Sequence, residues 1–285
     1  MENIFDLKQY LKERAAEVNQ AMETYLPEDA DYMDNIGEAM RYGVFPGGKR
    51  FRPILTLAAA EALGADRKLA MPAACAFELV HCFSLVHDDL PCMDDDIERR
   101  GKPTCHVAYG EDTALLAGDA LVIHAFEVAA RSAAMNSAEK TVRVIHELAY
   151  ASGFPGMVGG QILDMAAQHH GVDREGLLAV HHAKTGALIR GAVRAGAIIA
   201  GATEEQLKAL TEYGEEVGLV FQITDDILDA ETDDDPISFP ALYGMEESKK
   251  MAKESTAHAV ELLAPFGEAA LPLKALAEYL LYRSV

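Results

Sequence analysis

Five aspartates, Asp88, Asp89, Asp94, Asp95 and Asp96, crowd into nine residues between the apolar run Phe83-Ser84-Leu85-Val86 and the cations Arg99, Arg100 and Lys102. Carboxylates beside a core destabilise a fold unless cations or hydrogen bonds meet them. The cluster therefore implies an ion-pair lattice or a bound metal, and the plain alternative is a helix end with a solvated acidic run. A second copy decides between them. Leu219-Val220-Phe221-Gln222-Ile223-Thr224 leads into Asp225, Asp226 and Asp229. On a helix Asp225 and Asp229 share a face with Asp226 beside them. Like charges so placed repel, so three carboxylates converging on one small volume make sense chiefly around a divalent cation. Oxygen ligands supplied by aspartates alone point to magnesium bridged to a phosphate group.

The first motif needs a different backbone. Asp88 and Asp94 are six residues apart, on opposed faces of an ideal helix. Pro91 lies between them, and proline ends a helix and bends its exit. A helix finishing near Asp89 could fold Asp94 back toward Asp88, so the first motif belongs at a helix C-terminus and the second inside a helix.

The elements that position these groups read as helices throughout. Apolar residues recur at three- and four-residue steps over roughly 2–25, 32–43, 49–63, 68–89, 111–133, 138–151, 155–169, 173–200, 203–230, 245–263 and 268–283. Strand signals are almost absent, and most prolines fall between segments or in first turns. The fold class is all-α, a helical bundle around a central cavity. No linker or compositional shift divides the 285 residues, and half are hydrophobic, so a single domain over 1–285 is expected.

A net charge of −21, from 46 acidic against 25 basic residues, argues against nucleic acid and against docking on anionic lipid. The first residues, MENIFDLKQYLKER, carry no apolar leader, and the apolar stretch Gly186–Ala202 is broken by Arg190 and Arg194. A cytoplasmic protein with no membrane span is expected. Cys75, Cys82, Cys92 and Cys105 form no CxxC pair and read as small buried hydrophobes. The doublets His169-His170 and His181-His182 read as surface positions, because adjacent residues on a helix face different ways.

The basic residues are as patterned as the acidic ones. Gly47-Gly48-Lys49-Arg50-Phe51-Arg52-Pro53 opens a helix with a flexible turn and three cations, and helix starts bind anions through free N–H groups and the dipole. Lys184-Thr185-Gly186 lies inside a helical segment, where glycine costs about 1 kcal/mol relative to alanine. A close approach by a ligand or another backbone would explain it. Gly159-Gly160 suits a close helix crossing, and Gln161 and Asp164 read as site lining.

DDxxxxD at Asp88–Asp94 and DDxxD at Asp225–Asp229 resemble the trans-prenyltransferases that make short-chain isoprenyl diphosphates, bacterial farnesyl diphosphate synthases most of all. GGKRFRP, RRGKPT at Arg99–Thr104, GGQILD, KTG and FQ recur in the family's order from Gly47 to Tyr243, most of the chain. The resemblance implies that Lys49, Arg52, His81 and Arg100 grip isopentenyl diphosphate. It implies that Arg99, Lys184, Thr185 and Gln222 hold the allylic diphosphate. It assigns Asp88, Asp89, Asp94, Asp225, Asp226 and Asp229 to magnesium, three ions with diphosphate bound, and makes Asp88, Asp94, Asp225 and Lys184 catalytic.

The expected reaction is ionisation of the allylic diphosphate, attack by the isopentenyl double bond, and loss of a proton to the departed pyrophosphate. Phe83, flanked by Ser84 five and four residues before the first aspartate, stands where a bulky floor would stop chain growth. Farnesyl diphosphate is the expected product, with geranylgeranyl or geranyl diphosphate as alternatives. A class I terpene cyclase fits less well, since it needs no second diphosphate site. A non-catalytic heteromer subunit also fits poorly, since such subunits lose the aspartates. The family's usual state suggests a homodimer. One departure stands out: no lysine lies between Lys208 and Lys249, where the family carries a lysine-bearing loop, so the loop after Asp229 is either truly short or lacks residues in the sequence, and the second is expected.

Overall fold

The protein is described here by a computed structural model covering residues 5–28, 35–45, 47–230 and 235–282. Among these residues fourteen α-helices account for nearly all of the architecture, as the periodicity predicts. They are α1 Leu7–Tyr25, α2 Ile36–Val44, α3 Phe51–Ala62, α4 Met71–Asp88, α5 Cys105–Tyr109, α6 Glu111–Ala130 and α7 Ala138–Ser152. There follow α8 Met157–His170, α9 Arg174–His181, α10 Ala187–Ala200, α11 Glu204–Asp229, α12 Phe239–Tyr243, α13 Met245–Leu262 and α14 Leu271–Tyr282. The stretch after Asp229 where loop residues were expected to be missing includes 231–234, which lie outside the described residues.

Helix starts follow local chemistry. Asp6, Ser137 and Asp173 each accept from a backbone N–H one turn on, and Thr203 with Gln206 forms a reciprocal capping box at the start of α11. The α4 helix is apolar all round and accordingly buried. It packs against α3, α6 and α10, while α10 also meets α7 and α11. The α3–α10 crossing is close enough for Thr56 Oγ1 to donate to Ala192 O at 2.9 Å. One apolar cluster runs through these helices; a smaller one, with Leu177, Ile223, Ile227 and Phe239, lies under α12.

Two segments differ from the periodic reading. The expected helix over 173–200 is three pieces, because a widened π turn at His182–Gly186 separates α9 from α10. Residues 98–103 form a small antiparallel hairpin in which Arg99 faces Lys102. Its two turn residues, Arg100 and Gly101, have φ of 55° and 76°, the left-handed pair that matches strand twist. Two helical stretches, Arg67–Asp88 and Glu111–Ala134, are long and apolar enough to cross a membrane by length and composition, and they are 72% and 39% buried within the fold.

Candidate active site

The α4 helix stops at Asp88, and Asp89 N still reaches Leu85 O at 3.2 Å. A tight turn follows, with Met93 N donating to Leu90 O at 2.8 Å and Asp94 N to Asp88 O at 2.9 Å. The two acidic ends are thus folded together as the proline predicted. Burial raises the Asp88 carboxyl to about 6, with the Asp94 charge adding and Lys184 opposing. Asp94 is raised for the same first reason and feels the same lysine. Asp88, Asp94 and Lys184 therefore share one electrostatic neighbourhood. Lys184 Nζ itself donates to Asp164 Oδ2 at 2.6 Å, so Asp164 belongs to the site.

Asp89, expected in the metal set, is engaged by a cation in this structure. It is 3% exposed, and Arg99 Nε donates to both its carboxylate oxygens at 2.8 and 3.0 Å. Its role here is to hold Arg99, which also reaches Asp96 at 3.5 Å. The hairpin sends Arg100 the other way, where its Nη1 donates to Gly47 O at 2.6 Å.

The second motif forms the last turns of α11 rather than its interior. Asp225 is half-buried and Asp229 exposed, but Asp226 is buried. Asp226 Oδ1 accepts from Gln222 Nε2 at 2.8 Å and its Oδ2 from Phe239 N at 2.9 Å. The three carboxylates therefore do not converge; Asp226 turns toward α12. Gln222 in turn accepts from Thr185 Oγ1 at 2.9 Å, which ties the KTG turn to α11.

That turn is clasped from two sides. A Cβ on Gly160 would lie 2.2 Å from Lys184 N, and one on Gly218 would lie 2.8 Å from the Gly186 Cα. Only glycine lets α8 and α11 approach so closely, so the close backbone approach inferred for Gly186 is real.

A cavity of about 540 Å³ opens beside Asp88 and Lys184, with Phe83 and Ser84 in its wall. Phe83 packs edge-on against His87 with ring centroids 5.7 Å apart, and His87 Nε2 lies 2.9 Å from Leu115 O. A second cavity, about 240 Å³, gathers Lys49, Arg52, His81 and Arg100 against Phe221. Arg50, the left-handed residue before α3, is not one of the available cations: it is 1% exposed, bonded to Glu78 at 2.9 Å, to Asn19 and to Val44 O. It fixes the turn that presents Lys49 and Arg52. Arg52 and His81 line both cavities. Arg52 Nε is buried with no hydrogen-bond partner, an unmet donor in a residue that borders both cavities. Burial, with Arg52 and Arg100 adding, holds the His81 pKa well below its usual value and keeps the ring neutral.

Two expectations are corrected. His181 is buried at 9% exposure, stacked on Phe239, whereas His169, His170 and His182 are exposed as read. Cys92 is exposed in the acidic turn, while Cys75, Cys82 and Cys105 are buried. Phe239 and α12 carried no periodic signal because five residues are too few to show one.

Among the described residues no three acidic, imidazole or thiol groups are close enough to cage a metal unaided. The acidic ends fit magnesium nonetheless: Asp88 and Asp94 offer hard oxygen donors, both raised in pKa chiefly by burial, and phosphate oxygens would complete the coordination.

The family model described as polyprenyl synthetase matches residues 33–260. Over 297 residues the chain is 43% identical to the chloroplastic geranylgeranyl pyrophosphate synthase of Catharanthus roseus, covering 98% of this chain and 82% of that protein. The crystal structure of an FPP/GFPP synthase from Zymomonas mobilis, in its apo form, superposes with a TM-score of 0.91 at 37% identity, over 96% of this chain and 98% of that one. A geranyltransferase structure from Legionella pneumophila gives 0.90 at 36%, over 98% and 97%.

Proposed function

The chain belongs to the polyprenyl synthetase family, the trans-isoprenyl diphosphate synthases, and on that premise we propose that it condenses isopentenyl diphosphate with dimethylallyl and geranyl diphosphates to give farnesyl diphosphate. The observation that carries this reading is the sharing of Arg52 and His81 by the cation pocket and the tail cavity, which brings two anionic substrates to one junction.

In this proposal one domain over 1–285 does the work. Lys49, Arg52 and Arg100 hold the isopentenyl diphosphate, with His81 as a neutral donor, so that its double bond faces the cavity. Arg99, Lys184 and Thr185 hold the allylic diphosphate at the cavity mouth. Asp88, Asp94 and Asp225 would hold magnesium, which would supply Lewis acidity to the departing diphosphate. The allylic C–O bond breaks with its electron pair going to pyrophosphate, and the isopentenyl double bond forms the new C–C bond. The proton lost to make the next double bond goes to the departed pyrophosphate, because His81 is too weak a base. Apolar walls keep water from the cation.

Phe83 supports farnesyl as the product, since its ring, backed by His87 and Leu115, closes off the wall beside Asp88. A second reading, geranylgeranyl diphosphate, is favoured by the Catharanthus relative. A cytoplasmic homodimer completes the proposal. Leu115, Leu116 and Ile123 on α6, and Val158 and Ile162 on α8, leave an apolar outer face beside Phe154, which is 93% exposed. Leu115, Val158 and Ile162 also line the tail cavity, so a second copy seated there would seal its side. Lys49→Met should raise the KM for isopentenyl diphosphate and leave the allylic KM unchanged; an equal rise in both would contradict the two-pocket assignment.

A further inference from the structure

Asp226 is treated differently from its neighbours by the fold. It is 9% exposed, and each carboxylate oxygen accepts from a protein donor, Gln222 Nε2 at 2.8 Å and Phe239 N at 2.9 Å. The Phe239 amide opens α12 and has no partner within that helix, so the carboxylate satisfies a donor that would otherwise be buried and unmet.

The same connection has a second strand. Phe239 is fully buried and stacks on His181, with ring centroids 5.1 Å apart and planes 19° apart, and on Tyr243 at 5.6 Å. His181 Nε2 lies 3.8 Å from Asp226 Oδ2. Arg174 lies over the Tyr243 ring, 4.7 Å from its centroid, while its Nε donates to Leu242 O. The α12 segment is thus held by α9 through rings and by α11 through one carboxylate. Thr185 joins the relay through Gln222, whereas His181 Nε2 is buried without a hydrogen-bond partner.

We propose that Asp226 is a positioning residue rather than a magnesium ligand: it fastens α12 to the end of α11 and, through Gln222 and Thr185, holds the KTG turn in register with Asp225. This deepens the proposed function and rests on it. Magnesium then engages the second motif through Asp225, and Asp226 keeps that carboxylate correctly aimed. His181 is the platform beneath Phe239, and it contacts no substrate.

The test compares Asp225→Asn, Asp226→Asn and Asp226→Ala as full-length proteins. Two quantities are read: the rise in Tm on adding magnesium with inorganic pyrophosphate, and hydrogen exchange of the 237–243 peptide. An amide oxygen at 226 still accepts from Phe239 N, so Asp226→Asn should keep both the Tm rise and slow exchange. Asp226→Ala should speed exchange of that peptide by roughly tenfold, the worth of one buried hydrogen bond to a charged group. Asp225→Asn should lose the Tm rise with exchange unchanged. If Asp226→Asn loses the Tm rise as fully as Asp225→Asn while exchange stays slow, Asp226 is a ligand and the proposal falls. Absence of a Tm rise in the unsubstituted protein would count against the magnesium reading instead, and the exchange comparison would still decide whether Asp226 fastens α12.

Discussion

The main-chain N–H of Asp94 donates to the carbonyl of Asp88 across 2.9 Å, so two carboxylates six positions apart open from one point at the end of α4. That bond turns a spacing unsuited to a helix into a shared site. Asp88→Ala should abolish turnover, while the metal-free protein keeps or gains stability. The sign follows from the pKa: a carboxyl raised to about 6 by burial is ionised at neutral pH against its environment, so removing it relieves the fold above that pH. Calorimetry of the metal-free variant at pH 7.5 checks this, and a fall in Tm in step with the lost activity would contradict it.

Phe83→Ala should lengthen the product by at least one isoprene unit, read by chromatography of the dephosphorylated alcohols. Phe83 lines the tail cavity at 8% exposure, and truncation deepens that wall without touching Asp88. An unchanged product from an active variant would place the floor elsewhere.

Glu78→Gln should destabilise by about 3–5 kcal/mol, the cost of leaving one member of a buried pair alone. Arg50 and Glu78 are both almost wholly enclosed, and the pair fixes the left-handed turn before α3. Denaturant unfolding measures the loss. A raised KM for isopentenyl diphosphate should accompany it, since Lys49 and Arg52 flank that turn.

Gly160→Ala should cost about 1–3 kcal/mol by overpacking and should lower kcat, because the added methyl group meets Lys184 N at 2.2 Å. Unfolding and steady-state kinetics on the same preparation check both effects. A neutral substitution would mean that α8 can withdraw without disturbing the KTG turn.

Much of this arrangement was legible in the sequence because it rests on local rules. The helical period survives even in α4, which is apolar all round, and Pro91 foretold the turn that returns Asp94 to Asp88. The cation pocket could be read because GGKRFRP combines a glycine turn with a helix start. What the sequence hid depends on distant partners. Asp89 and Asp226 look like Asp88 and Asp225 in the sequence, and only the positions of Arg99 and of Phe239 N set the first two apart as carboxylates already engaged by protein donors. The π turn at His182–Gly186 was masked by an unbroken helical period, and Arg50 by cationic neighbours that face the pocket while it faces Glu78.

The carbon chains of the two prenyl diphosphates are proposed to join where the cation pocket meets the tail cavity, beside Arg52 and His81. Purified protein incubated with isopentenyl and dimethylallyl diphosphates and magnesium should release pyrophosphate and form a longer prenyl diphosphate, fifteen carbons by the Phe83 argument. Pyrophosphate release with only a cyclic or hydrolysed hydrocarbon, or no longer diphosphate from folded protein, would contradict it.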